Sequence, residues 1–178
     1  MATLDKKMNI LRTLALVSLV CLVETAAAEP KPKHIVEEIL FEFVPSFEPT
    51  TRIWLARMSD GTVLRAAYLI PEGTRDNEAK KLKTSEVSLA LFNEFAAVFE
   101  DRGFRAAAEV TPGLGADGTA WIFRKTTGRR TLEYNFWTPE ARPNVKSSAL
   151  AIRLGKQIAA AVGLSDMFSV RRKTDQPE

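Results

Sequence analysis

Few residues in this chain could carry out covalent or metal chemistry. It has one histidine, His34, and one cysteine, Cys21. A zinc-type centre needs three or four His, Cys or carboxylate ligands converging on one point, so no metal site is expected. A serine nucleophile needs a positioned base. With a single imidazole and no Gly-x-Ser-x-Gly, a Ser-His-Asp triad is not expected. Lys146-Ser147-Ser148 and Lys83-Thr84-Ser85 leave a Ser-Lys arrangement open, although both are better explained as helix starts. Asp76-Asn77-Glu78 is too sparse for a calcium loop. The glycines of Gly113-Leu114-Gly115-Ala116-Asp117-Gly118 superficially resemble a phosphate loop, but a strand follows instead of a helix, and no Lys-Ser/Thr accompanies them. They predict a turn, and no cofactor is implied. Paired carboxylates for glycoside cleavage could be any two of the acids, and spacing does not choose between them.

What remains is suited to binding. Arg52, Trp54, Arg65, Arg124 and Trp137, with Glu133, Glu38 and Glu42, are expected on one mixed face of a sheet. Cross-strand ion pairs with tryptophans covering the sheet are one account, each pair contributing roughly 0.2 to 1 kcal/mol. A ligand or partner surface is the other, since exposed Trp and Arg are enriched at binding hot spots.

That face depends on the elements beneath it. From Glu38, alternation places Ile39, Phe41 and Phe43 on one side and Glu38, Leu40 and Glu42 on the other, a half-buried strand ended by Pro45. A strand from Thr51 to Met58 returns as Thr62 to Ile70 through Asp60-Gly61. If those two are the loop residues, Leu55 pairs with Ala66 and Ile53 with Tyr68. Ile53, Leu55, Leu64, Ala66, Tyr68 and Ile70 then share one face; Arg52, Trp54, Met58, Val63, Arg65 and Ala67 share the other. Pro71 to Lys83 is expected as a loop. A helix capped by Thr84 or Ser85 is expected to run to about Arg102, with Val87, Leu91, Phe92, Phe95, Val98 and Phe99 in its core stripe. Gly103 would form its left-handed cap, and Phe104 to Val110 a short strand. A second hairpin, Thr119 to Lys125 and Arg130 to Trp137, turns at Thr127-Gly128. Its inner face is Trp121, Phe123, Leu132, Tyr134 and Phe136; its outer face is Ile122, Arg124, Thr131, Glu133, Asn135 and Trp137. The last helix, Ser147 to Val162, carries Leu150, Leu154, Ile158 and Val162 and ends at Gly163. The fold class expected is α+β, an antiparallel sheet of hairpins with two amphipathic helices on one face.

The amino terminus has the three parts of a cleavable secretory signal over residues 1–28. Lys6, Lys7 and Arg12 are its positive region, and Leu14 to Val23 its apolar core. Ala26-Ala27-Ala28 supplies the small residues a peptidase accommodates. The apolar run is ten residues and is closed by Glu24, short of the roughly 20 a spanning helix needs. Val20 before Cys21 does not suit a lipoprotein, and a start at Met8 would remove both lysines but leave Arg12. The expected destination is the periplasm or the exterior, with the membrane met only through the signal. Removal leaves 22 Lys+Arg against 20 Asp+Glu, a balance that gives no case for nucleic acid. It also removes the only cysteine, leaving neither disulfide nor thiol. Residues 29–37 are expected as a mobile leader, 38–164 as one domain and 165–178 as a loosely held tail.

Gly115-Ala116-Asp117-Gly118-Thr119-Ala120-Trp121, followed after a hairpin by Trp137-Thr138-Pro139-Glu140, resembles a pattern recurrent in uncharacterised bacterial exported proteins. There an Asp-Gly-Ser/Thr-x-Trp strand pairs with one ending in Trp-Ser/Thr-Pro. The resemblance covers the last third of the chain and implies the hairpin and export, but no activity. The functional expectation is a non-enzymatic exported module that binds an envelope protein or small ligand through the Trp/Arg face. A carboxylate-dependent envelope hydrolase and a carrier of a small apolar ligand are the alternatives.

Overall fold

Strand β1 (Ile35–Pro45) carries the strict alternation expected of it and occupies the middle of the fold. The computed structural model describes residues 32–73, 78–109, 118–141 and 144–168. In it, β2 (Thr50–Met58), β3 (Val63–Ile70), β4 (Lys80–Leu82), β5 (Thr119–Thr127) and β6 (Arg130–Trp137) join β1 in one antiparallel sheet. The strand order is β4-β3-β2-β1-β5-β6. Among the described residues three α-helices accompany the sheet: α1 (Leu89–Val98), α2 (Arg102–Glu109) and α3 (Lys146–Ala161). The class is α+β. The segment expected to be a signal, 1–28, and residues 110–117, which include most of the glycine loop, lie outside the described residues. Among the described residues no helix is long and apolar enough to cross a membrane.

The first hairpin corrects the expected register by one residue. Ile53 pairs with Ala67, Leu55 with Arg65 and Arg57 with Val63. The Met58 N–H donates to the Thr62 carbonyl, so three residues, Ser59, Asp60 and Gly61, form the loop. Gly61 takes φ +84°, and Asp60 Oδ1 accepts the Thr62 N–H at 3.0 Å. A three-residue loop with glycine in the left-handed region is the next most common hairpin after the two-residue one. Because side chains alternate with period two, this single step exchanges the faces of all of β3. Val63, Arg65, Ala67 and Leu69 lie on the face of Ile53 and Leu55; Leu64, Ala66, Tyr68 and Ile70 lie on the face of Trp54. The second hairpin has the faces expected, with Trp121 opposite Phe136 and Phe123 opposite Tyr134. It closes at Thr127↔Arg130, with φ +58° at Gly128.

Other boundaries also move. The presumed leader reaches into β1, which begins at Ile35, and Lys33 pairs with Asp60 at 2.6 Å. β4 lies in what was expected to be loop. Ser88, not Thr84 or Ser85, caps α1, its hydroxyl accepting the Leu91 N–H at 3.2 Å. The Ser85 N–H instead satisfies the Val162 carbonyl at the end of α3. Residues 102–109 form α2 rather than a strand, and Gly103 lies within it. Asp101 Oδ1 accepts the Phe104 N–H, an N-cap ahead of an alanine-rich helix. Residues 165–168, expected to be loosely held, form a short 3-10 turn whose Phe168 stacks on Trp121 at 5.0 Å.

One buried cluster unites Ile39, Phe41 and Phe43 of β1 with Ile53, Leu55, Trp121 and Phe123. Phe92, Phe95, Phe99 and Phe104 join it from the first two helices and their junction, and Leu154 and Ile158 from α3. Phe41 stacks on Phe123 with ring centroids 4.8 Å apart. A Cβ at Gly155 would lie 2.4 Å from Trp121 Cζ3 and 2.9 Å from Phe41 Cζ, so only glycine admits this approach of α3 to the sheet.

The same cluster ends in charge. Lys125, 9% exposed, donates from Nζ to the Ala96 carbonyl at 3.2 Å. It also lies 3.2 Å from Glu37 Oε1 and 3.4 Å from Glu100 Oε1. Tyr134 Oη donates to the Phe99 carbonyl at 3.2 Å. Both side chains thus satisfy carbonyls that the end of α1 leaves without helical partners. Glu37 is held further by Arg57 Nη2 at 2.9 Å and Thr127 Oγ1 at 3.0 Å. Burial pushes the Glu37 carboxyl up, but hydrogen bonds from Arg57, Lys125 and Thr127 outweigh it and hold the group below the ordinary carboxylate range. A depressed folded value means that ionised Glu37 contributes stability above the unfolded value, lost as pH falls through the folded one. Glu37→Gln should therefore destabilise the fold at neutral pH, by about 3 kcal/mol, because it removes the carboxylate that Arg57 and the buried Lys125 share. The gap to the parent protein should narrow as the pH is lowered below the ordinary carboxylate range. Urea unfolding at neutral and acid pH checks this, and a gap independent of pH would refute it.

Candidate functional site

The face opposite the buried cluster can be read row by row from the strand register. One row runs Ala66, Trp54, Leu40, Arg124, Glu133 across β3, β2, β1, β5 and β6. The next runs Lys81, Tyr68, Arg52, Glu42, Ile122, Asn135 from β4 to β6. Where the two rows meet, the surface opens into a groove of about 660 Å³. Leu40, Trp54 and Tyr68 give it apolar and aromatic walls, with Ala79 at the end towards β4. Arg52, Glu42 and Arg124 supply the charge.

Arg52, Trp54 and Arg124 are each oriented by a cross-strand partner. Arg52 Nε donates to Glu42 Oε1 at 2.6 Å, and Glu42 is 8% exposed. Trp54 Nε1 donates to Glu38 Oε1 at 3.1 Å, which fixes the plane of the indole. Arg124 reaches Glu133 Oε2 through Nε at 2.7 Å and Nη2 at 2.6 Å. That pair is about 40% exposed on each side, where solvent leaves such contacts worth roughly 0.2 to 1 kcal/mol. Its effect is to hold the guanidinium in place at the rim. The groove therefore presents half-buried aromatic surface between preset charges of both signs.

Of the five residues expected here, the structure brings together Arg52, Trp54 and Arg124. Arg65 is on the other face, opposite Leu55, with Nη2 3.5 Å from Glu86 Oε1. Trp137 shares the open face but not the groove. It is paired with Ala120 at the outer edge, about 20 Å from Trp54 by strand spacing and rise. Tyr68, which sequence reasoning placed on the core face, lies on the open face instead, opposite Arg52. The signal that could have revealed it is Ser59, which with Asp60-Gly61 makes the three-residue loop.

A hydrolytic carboxylate pair would need its two acids about 5 to 9.5 Å apart. The described groove lining contains one, Glu42. Glu38, the other acid of β1 on this face, is four residues away, about 13 Å along the strand, and is engaged by Trp54. Among the described residues no three His, Cys, Asp or Glu side chains gather where they could hold a metal ion.

Trp137 belongs instead to a lock between the two parts of the Gly118-to-Glu140 pattern. Thr138, at φ +44°, donates its N–H to the Thr119 carbonyl at 2.7 Å, and its Oγ1 accepts the Thr119 N–H at 3.4 Å. Trp121 Nε1, deep in the core, donates to Glu140 Oε1 at 2.8 Å. Gly118 fits because any Cβ would lie 2.3 Å from Thr138 Oγ1 and 3.0 Å from Trp137 Cζ2. These residues join strand ends, apart from the groove that Trp54 and Tyr68 line. Gly118→Ala should cost about 2 kcal/mol or more through overpacking at φ +151°, read as a lower urea midpoint. An unchanged midpoint would remove the lock. No protein-family model, no curated protein and no solved structure matches the chain.

Proposed function

We propose that this protein is an exported, non-enzymatic binding module that engages a component of the cell envelope through the open face of its sheet. The groove walled by Leu40, Trp54 and Tyr68 carries this reading. A half-buried indole oriented by Glu38 and flanked by restrained guanidinium groups is the kind of surface from which binding hot spots are built. Arg52, Trp54 and Arg124 each hold a cross-strand hydrogen bond in the free protein, so binding loses less conformational entropy. We read the helices as covering the opposite face, supported by the cluster that Phe92, Phe95, Leu154 and Ile158 form with Ile39, Phe41 and Trp121. That arrangement leaves the Trp54 face as the accessible one. The hydrolase alternative would need a second acid beside Glu42. The apolar-carrier alternative would need a cavity between sheet and helices, whereas this groove is on the outer face.

Export rests on residues 1–28, and their removal sets the compartment in which a partner would be met. The intact mass of the protein recovered from the cell envelope or medium should correspond to a chain starting at Glu29; retention of residues 1–28 would overturn the signal reading. For binding, Trp54→Ala with Tyr68→Ala should lower retention of an envelope component by the tagged protein at least about ten-fold. Trp137→Ala, outside the groove, should leave retention near that of the parent. Equal retention by the doubly substituted protein, with its far-ultraviolet spectrum unchanged, would refute the proposal.

A further inference from the structure

The turn between β1 and β2 holds a side chain at odds with its surroundings. Phe47 is 75% exposed and stands at φ +64°, a backbone region that bulky L-residues avoid. It does not sit at a loose tip. The Ser46 N–H donates to the Gly118 carbonyl at 2.8 Å, and Ser46 Oγ accepts the Gly118 N–H at 3.1 Å. Pro45 and Pro49 flank the turn and limit its backbone on both sides. An aromatic ring is thus held in water by a braced, strained turn, and such strain persists where a function uses it.

Phe47 does not fill the groove of its own molecule. Glu42 and Arg52, the nearest groove residues along the chain, are each five residues away, and the exposed Phe47 ring is not part of the groove lining. The complementary surface is available on a second molecule. The groove has the apolar walls Leu40, Trp54 and Tyr68 to receive a ring, and Arg52 and Arg124 beside them. Glu48, exposed and next to Phe47, carries the opposite charge. We infer that the occupant of the groove is the Phe47-Glu48 turn of a second copy of this chain, the ring against Trp54 and Tyr68 and the carboxylate towards Arg124. Each copy carries one turn and one groove. Reciprocal insertion therefore closes a two-fold dimer, whereas one-way insertion propagates into a chain of molecules. The inference rests on the reading of the groove as a binding surface and names its partner.

Sedimentation velocity tests it on the protein expressed with its own amino-terminal segment and purified in processed form, from micromolar to near-millimolar concentration. The parent protein should associate reversibly. Phe47→Ser, Glu48→Arg and Trp54→Ala should each weaken that association, the first and last by at least about ten-fold. Phe47 and Glu48 lie outside the core, so their variants should keep the parent's unfolding midpoint. An equimolar mixture of Phe47→Ser and Trp54→Ala should associate more tightly than either alone, because a mixed pair retains one intact turn in one intact groove. A parent protein monomeric throughout would overturn the inference, as would association indifferent to Phe47→Ser or a mixture no tighter than its components. If the parent is monomeric while the Trp54 and Tyr68 substitutions still lower envelope retention, the second copy is refuted and the binding face stands. If neither association nor retention responds, both are refuted.

Discussion

Phe41 lies at the middle of β1 with no exposure, paired with Ile53 on one side and Phe123 on the other. Its ring stacks on Phe123, lies against Trp121 and limits how close α3 comes at Gly155. Because β1 is bonded along both edges, its alternation is imposed on its neighbours. Once Ile39, Phe41 and Phe43 face the core, Leu40 and Glu42 face out, and with them Trp54, Arg52 and Arg124. The open groove is thus a consequence of the core: its residues are those that the register of Phe41 turns outward.

The two ends of this core are closed by different physics. At the Glu37 end, a buried lysine and a tyrosine hydroxyl satisfy carbonyls at the end of α1, and two carboxylates balance the lysine. A buried charge set of this kind is costly unless every member is paired, which is why Glu37 is met by Arg57, Lys125 and Thr127 together. At the Trp121 end, sterics dominate. Gly118 and Thr138 fit only each other, and Glu140 receives the indole N–H. With no cysteine beyond Cys21, these two closures and the aromatic core between them hold the domain without a disulfide.

The lock also gives physical meaning to the short pattern that runs from Gly118 to Glu140. Its glycine, threonine and tryptophan are explained by close approach, reciprocal backbone bonds and a buried indole, all local to one strand junction. The Ser46 turn is tied to Gly118 as well, so the same junction that closes the core presents Phe47. Structural bracing and an exposed anchor meet there, while the groove lies two rows away on the same hairpin.

Sequence alone determined the parts in which one periodicity had no competitor. β1, β5 and β6 place aromatic or branched residues on one side and charged ones on the other, and α3 repeats its apolar residues every four positions, so their faces were legible. β3 was not. Val63, Arg65, Ala67 and Leu69 share one side and Leu64, Ala66, Tyr68 and Ile70 the other, so hydrophobicity favours the second as the core face and points to the wrong register. The three-residue loop at Gly61 chose it, moving Tyr68 into the groove and Arg65 out. Nor could local pattern separate a short strand from α2, where the Asp101 cap and alanine content outweigh Gly103. The separation of Trp137 from Trp54 is set by strand order, which brings residues 54 and 124 together across β1 and leaves Trp137 at the sheet edge. Alternation is a property of neighbours along the chain, whereas a binding site is a property of neighbours across it. Only the pairing of strands decided the latter.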